Sequence, residues 1–333
     1  MASNRTVSLR AIVLVVTLVA VAVAVTPASA EVPRSAASGL VLYEGLPGFG
    51  DVYTNPDSLS PTDPLYDLWA VDPAGGVAVN LTNAPGVDTG AAWSPDGKRI
   101  AFASNRDDNY NIYVMNADGT GVKRLTGGSL SSLTPLWSPD GRWIAFARGA
   151  EIHMMRPDGS SKRMVYRSHS GWMPISLGDW SPDGRTLLFD LEGSENSYDI
   201  WSLDVAARRA SRLIATPVSE YGPDFSPNGR NIAFTRETMC ARLMSITGLC
   251  VFDVFVSDRQ GRATENITDT ANISEETPSW SPDGTQIAFT GDPGILRLEM
   301  DIWVMELETG IRRPLTVQPR TWDYAPDWQP VAD

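Results

Sequence analysis

The chain is poor in cysteine and histidine, with two of each among 333 residues. His153 and His169 are too few for a histidine-rich metal centre. No spacing groups them with Cys240 and Cys250 as a zinc site requires. No Gly-x-Ser-x-Gly occurs, so the nucleophile elbow of a serine hydrolase is missing. Basic residues are outnumbered, 27 against 40 acids, for a formal net charge of −13. That balance argues against nucleic acid and against anionic membrane surfaces as partners. The apolar run Ala11–Val25 is short for a bilayer span, which takes about 20 residues, so no stable membrane insertion is expected.

That run instead reads as the core of a targeting segment. Arg5 and Arg10 give it a basic start, Pro27 ends it, and Ala28-Ser29-Ala30 offers a small-residue cleavage site before Glu31. Residues 1–30 are expected to be a signal peptide and 31–37 a short leader. The mature protein is then periplasmic or secreted. In an oxidising compartment Cys240 and Cys250, ten positions apart in one loop, read as a disulfide.

What the chain does have is a repeat. Trp280-Ser281-Pro282-Asp283-Gly284 is followed by Gln286-Ile287-Ala288-Phe289, and close copies begin at Trp93, Trp137, Trp180 and Phe225. A worn copy, Trp328-Gln329-Pro330, closes the sequence. Successive aromatics lie 44, 43, 45, 55 and 48 residues apart, a period that points to repeated supersecondary units. The motif has a mechanical reading. Proline sets φ for a type I turn, aspartate bonds nearby backbone, and glycine takes the left-handed conformation that closes a hairpin. Each motif is expected to be a hairpin corner and not a catalytic loop.

A second element alternates bulky residues in the manner of a half-buried strand: Tyr66–Asp72, Tyr110–Asn116, Glu151–Arg156, Tyr198–Asp204, Phe252–Asp258 and Met300–Glu306. A short further strand follows, often ending in Leu-Thr, as at Leu81-Thr82 and Leu125-Thr126. The front of the chain lacks a first strand and the back supplies one. One blade is therefore expected to take three strands from the front and one from the back. That arrangement closes a six-bladed β-propeller of four-stranded blades and leaves only short protected edges.

Taken together, these elements resemble the repeat of the TolB-type, or WD40-like, β-propellers, over residues 38–333. The resemblance implies an all-β fold for 38–333, and it leaves function open because the repeat serves many proteins. It departs from TolB in one respect: no α/β domain is expected between the signal segment and the propeller.

Such propellers usually bind on the face made by the loops that lead into each inner strand. Here those loops carry Trp172, Glu220, Tyr221, Glu275, Glu276, Trp322, Asp323 and Tyr324, a mixture of aromatics and acids that suits peptide or sugar contact. Asp179, Asp224 and Asp327, each just before a repeat aromatic, are expected along the channel, where they could attract a cation. No cofactor and no catalytic residue is expected otherwise. The reading that follows is a monomeric, non-catalytic scaffold docking a protein or peptide. The alternative is carbohydrate binding, or a carbohydrate-active enzyme with Glu275, Glu276, Glu220 or Asp323 paired as acid and base across the mouth.

Overall fold

The repeated turn is built alike wherever it occurs. The Ser94 N–H donates to the Arg99 carbonyl and the Gly97 N–H to the Ser94 carbonyl, both at 2.8 Å. The Ser94 hydroxyl donates to Asp96 Oδ1 at 2.6 Å and accepts the Arg99 N–H at 2.9 Å. The same serine–aspartate bond recurs at Ser138–Asp140, Ser181–Asp183 and Ser281–Asp283, with Asn228 as the acceptor for Ser226. Gly97, Gly141, Gly184, Gly229 and Gly284 all have φ between 64° and 72°. Only glycine reaches that region without a penalty from Cβ. These hydroxyls also hold the Asp96, Asp140 and Asp183 carboxyls below their ordinary range. The motif is a hairpin corner, as its residues imply.

The structure is a computed structural model. It describes residues 39–46, 66–168, 175–193, 197–240, 250–270, 273–291, 300–317 and 322–331. The expected signal peptide and leader lie outside these residues, as does Trp172.

Among the described residues the strands form six four-stranded antiparallel sheets. The first to be completed in sequence comprises β4 (Asp88–Trp93), β5 (Arg99–Ser104), β6 (Asn111–Asn116) and β7 (Lys123–Arg124). Next come β8 (Leu133–Trp137), β9 (Ile144–Arg148), β10 (Glu151–Met155) and β11 (Arg163–Arg167). The third holds β12 (Ile175–Trp180), β13 (Thr186–Glu192), β14 (Tyr198–Asp204) and β15 (Arg209–Ile214). The fourth holds β16 (Glu220–Phe225), β17 (Asn231–Cys240), β18 (Cys250–Asp258) and β19 (Glu265–Asn266). The fifth holds β20 (Glu275–Trp280), β21 (Gln286–Gly291), β22 (Asp301–Glu306) and β23 (Arg312–Pro314). The sixth joins β24 (Trp322–Trp328) to β1 (Val41–Leu46), β2 (Asp67–Val71) and β3 (Val79–Asn80), in the order β24-β1-β2-β3. Val41 pairs with Trp328 and Leu42 with Asp327. One blade thus takes three strands from the front of the chain and one from the back, and the ring closes as a six-bladed β-propeller.

The inner strands β4, β8, β12, β16, β20 and β24 each pack on the next, and β24 packs on β4. Between the blades lies the core. Phe102, Phe146, Phe189, Phe234 and Phe289 are at most 1% exposed, and Tyr43 fills the same place in the closing blade at 2%. The Leu-Thr signature also has a job. Hydroxyls of Thr82, Thr126, Thr268 and Thr316 accept the backbone N–H of Leu68, Ile112, Val254 and Ile302 at 2.8–3.0 Å. The fourth strand is thereby tied to the third where the ladder runs out.

Candidate functional site

Every inner strand carries a β-bulge two to three residues before its aromatic. The register shifts between Thr89 and Ala92, Leu133 and Leu136, Leu177 and Trp180, Tyr221 and Asp224, and Glu276 and Ser279, and opposite Leu42–Glu44 in β24. Five of the bulges hold a residue at positive φ: Gly90 (59°), Thr134 (45°), Gly222 (60°), Thr277 (51°) and Ala325 (50°). Three of these are not glycine, and each left-handed side chain costs on the order of 1–2 kcal/mol. Pro135, Pro223, Pro278 and Pro326 follow directly, on a strand that borders the channel and needs no further ladder partner. Strain repeated around one ring marks the channel as the part of the molecule whose shape is held by its surroundings.

Four bulge N–H groups are caught by the preceding blade. Gly90 donates to Glu44 Oε1 at 2.6 Å and Gly222 to Asp190 Oδ1 at 3.1 Å. Thr277 donates to Thr235 Oγ1 at 2.9 Å and Ala325 to Thr290 Oγ1 at 3.1 Å. The acceptor is always the residue after the buried ring, Tyr43, Phe189, Phe234 or Phe289. A second set of catches lies one layer deeper. Asp179 accepts the Phe225 N–H at 3.1 Å, Asp224 that of Trp280 at 2.6 Å, and Asp327 that of Trp93 at 2.9 Å.

These groups surround a cavity of about 330 Å³ along the axis. Glu44, Asp179, Asp224 and Asp327 line it, and no basic side chain does so among the described residues. Burial pushes the Glu44, Asp179 and Asp327 carboxyls up to about 7, and that of Asp190 likewise. Asp224 is raised too, by burial first and by the neighbouring Asp179 charge second. Among the described residues no three His, Cys, Asp or Glu side chains converge as a metal-binding group.

Four residues before the aromatic, the channel mouth carries a clamp. The Tyr221 and Tyr324 hydroxyls, from β16 and β24, both donate to Glu276 Oε2 on the intervening β20, at 2.7 and 2.8 Å. Burial and the Glu276 charge raise both phenols above their ordinary range. The next member of this ring, Thr89, donates to Glu44 Oε2 at 2.8 Å. Sequence reasoning placed Tyr221, Glu276 and Tyr324 at the mouth, and the structure brings all three together.

The acids five residues before the aromatic behave differently. Expected on loops, they are the opening residues of inner strands or next to them, and they face internal partners. Glu220 is 0% exposed and meets Arg236 at 3.0 Å, and Thr216 donates to it at 2.5 Å. Glu275 is 4% exposed, meets Arg312 at 2.7 Å and accepts a bond from Thr270; burial raises its carboxyl. Asp323 is 4% exposed, with its carboxyl pushed up to about 7 by burial. The equivalent Asp88 is 0% exposed and takes two bonds from Arg106 at 2.9 Å. Trp322 is half-buried and pairs with the end of β1. Cys240 and Cys250 stand directly opposite each other where β17 meets β18.

Glu44 and Asp190 were missed by sequence reasoning, which looked only at the inner strands. They sit where other blades carry Ala103, Ala147, Thr235 and Thr290, so an acid there is a departure from the repeat.

A family profile described as TolB beta propeller domain matches residues 59–174 and 151–333. The Tol-Pal system protein TolB of Francisella tularensis subsp. mediasiatica (strain FSC147) is 28% identical over 225 residues, 65% of this chain and 49% of that protein. The chain therefore spans about half the length of the curated relatives it matches. Among solved structures, TolB from Acinetobacter baumannii superposes with a TM-score of 0.69 at 20% identity, over 87% of this chain and 66% of that one. An oligogalacturonate lyase in complex with manganese gives 0.51 at 15% identity, over 68% and 64%. At these identities the two structures share a fold with this chain.

Proposed function

The chain belongs to the TolB β-propeller family, and on that premise we propose that it is a non-catalytic binding scaffold. It docks a protein or peptide at the channel mouth through a cationic or hydrogen-donating group. The observation that carries this reading is the Tyr221–Glu276–Tyr324 clamp set over a channel lined with acids. The aromatic rings supply contact area at low entropic cost, and the acids supply attraction for a lysine, an arginine or an amino terminus. The matched relatives carry the name Tol-Pal system protein, which supports a protein as the kind of partner. Residues 1–30 act as an export signal in this reading, and the propeller works as a monomer outside the cytoplasm.

A carbohydrate ligand is the second reading, and the same rings and carboxylates support it. An acidic channel repels a polyuronate, so a neutral sugar is the better candidate of that class. The mature protein and its Glu276→Gln and Tyr221→Phe/Tyr324→Phe variants would be used to capture ligands from the source envelope or secreted fraction. A protein retained by the native form, released by a lysine-rich peptide and lost in the variants supports the scaffold. Retention by a glycan matrix with no protein partner would move the reading to carbohydrate.

A further inference from the structure

The face opposite the mouth, where the repeat turns lie, carries a basic cleft on an acidic protein. It opens between the β4–β7 and β8–β11 blades with a volume of about 700 Å³. Arg99, Lys123, Arg142 and Arg156 line it against a single acid, Asp158. The cleft at the following interface, about 540 Å³, is balanced: Arg163 and Arg185 face Asp140 and Asp183. Positive charge therefore sets this interface apart from the next one.

Comparison of the blades with one another shows where that charge comes from. The residue that ends the third-strand element is Asp72, Asn116, Asp204, Asp258 or Glu306 in five blades and Arg156 in the remaining one. Elsewhere this position serves the turn that follows. Asp72 accepts the Ala74 N–H, Asp204 that of Ala207, and Asp258 those of Gln260 and Arg262. In the Arg156 blade that task passes to Asp158, which accepts the Ser160 N–H at 2.8 Å. The residue just before the buried Ile-Ala-Phe-type run is Trp143, Thr186, Asn231 or Gln286 in four other blades, and Arg99 here. Both departures face the same cleft.

The guanidinium groups are held by stacking. Arg156 and Arg163 each place Cζ 4.2 Å from the Trp143 ring centroid, and Arg99 places its own 4.5 Å from that of Trp137. A stacked guanidinium keeps its edge donors available for a planar or tetrahedral oxyanion. Among the described residues, no ion pair joins Arg99, Lys123 or Arg156 to a carboxylate, and Arg142 meets only the exposed Asp140, at 3.8 Å. Lys123 and Arg156 reach only backbone carbonyls, of Asp158 and Arg142, at 3.4 Å. Four cations gathered without matching acids repel one another, and a multiply charged anion removes that penalty.

We infer that this cleft binds a phosphate-bearing ligand, held by Arg99 and Arg156 as stacked forks with Lys123 and Arg142 as flanking charges. The phosphate belongs either to a small soluble molecule or to a lipid headgroup, and the two sources are separable. The test compares the mature protein with an Arg99→Gln/Arg156→Asn variant. Both substitutions install residues that other blades carry at the same places, Gln286 and Asn116, so the fold is retained, and a thermal melt checks that. Titration calorimetry with inorganic pyrophosphate at about 50 mM salt, where screening is weak, reads the soluble source. Co-sedimentation with phosphatidylglycerol vesicles, against phosphatidylcholine, reads the lipid source. Binding to either probe that weakens about tenfold or more in the variant supports the site, since two charge-assisted contacts are lost. No binding to either probe, or equal binding by the variant, overturns it.

Discussion

Asp327 accepts the backbone N–H of Trp93 at 2.9 Å, across 234 positions of sequence and across the interface between the closing blade and its neighbour. The bond ties the strand contributed by the back of the chain to the next blade of the ring. Asp179 and Asp224 make the same bond to Phe225 and Trp280, while Ala92, Leu136 and Ser279 occupy the place elsewhere. Trp328 adds a second tie in the same region, donating from Nε1 to the Ser279 carbonyl at 3.1 Å.

Asp327→Ala leaves the Trp93 N–H without its acceptor and is expected to destabilise the protein by about 1–3 kcal/mol. Trp328→Ala removes a buried ring, 4% exposed, and is expected to cost about 3–5 kcal/mol. Urea denaturation followed by tryptophan fluorescence measures both. A Trp328→Ala protein as stable as the native one would contradict the role given to β24.

The buried acids make stability depend on pH in an unusual direction. Unfolded, these carboxyls ionise near pH 4. Folded, Glu44, Asp190, Asp323 and Asp327 ionise at about 7. Between those values the folded state holds protons that the unfolded state has released, so stability falls as pH rises through the interval and levels off above it. The turn aspartates, shifted the other way, act only below that window. The thermal midpoint is expected to be higher at pH 5 than at pH 8. Asp190→Asn together with Asp327→Asn should flatten the difference. A midpoint that climbs from pH 5 to pH 8 would refute this account of the channel.

Ligand binding should run opposite to stability. A cationic ligand gains from ionised carboxyls, so affinity at the mouth is expected to rise between pH 6 and pH 8, as the acids lose protons at about 7. Tyr221→Phe or Tyr324→Phe each removes one bond to Glu276, worth about 1–2 kcal/mol, and is expected to weaken binding at the mouth. Affinity profiles of the three proteins across this pH range would settle the matter; profiles that are flat and equal would count against the clamp.

Cys240 and Cys250 are opposite each other in register, and we propose that they form a disulfide in the oxidised protein. A bond closing so short a loop stabilises by roughly 2–3 kcal/mol on the chain-entropy account. Intact mass before and after alkylation, with melts in the presence and absence of reductant, tests this. Two alkylatable thiols in the exported, unreduced protein would exclude it.

The ring, its blade count and its closure were legible because each rests on local chemistry that repeats. Proline, aspartate and glycine make one kind of corner, Ile-Ala-Phe one kind of buried strand, and a missing first strand at the front matches a surplus one at the back. The mouth was legible only in part. Tyr221, Glu276 and Tyr324 alternate with Glu220, Glu275 and Asp323 along the same strands, and successive side chains of a strand point to opposite sides. Sequence alone did not say which member of each pair faces the axis, so both were expected there. Glu44 and Asp190 escaped because they act from second strands, through bonds to bulge N–H groups that exist only once the blades are assembled. The basic cleft escaped for a related reason: Arg99 and Arg156 are 57 positions apart and meet only across a blade interface.

The prolines of the inner strands have a consequence for how anything can be recognised in the channel. Pro135, Pro223, Pro278 and Pro326 present no N–H, and beside the last three the bulges turn the neighbouring N–H of Gly222, Thr277 and Ala325 back into the protein. An extended segment threading the axis therefore finds, on four of the six inner strands, an interrupted backbone template on which to align as an added strand. Recognition there must read side chains, one charge or ring at a time, and the same absence protects the open inner edges from pairing with another copy and growing into an aggregate.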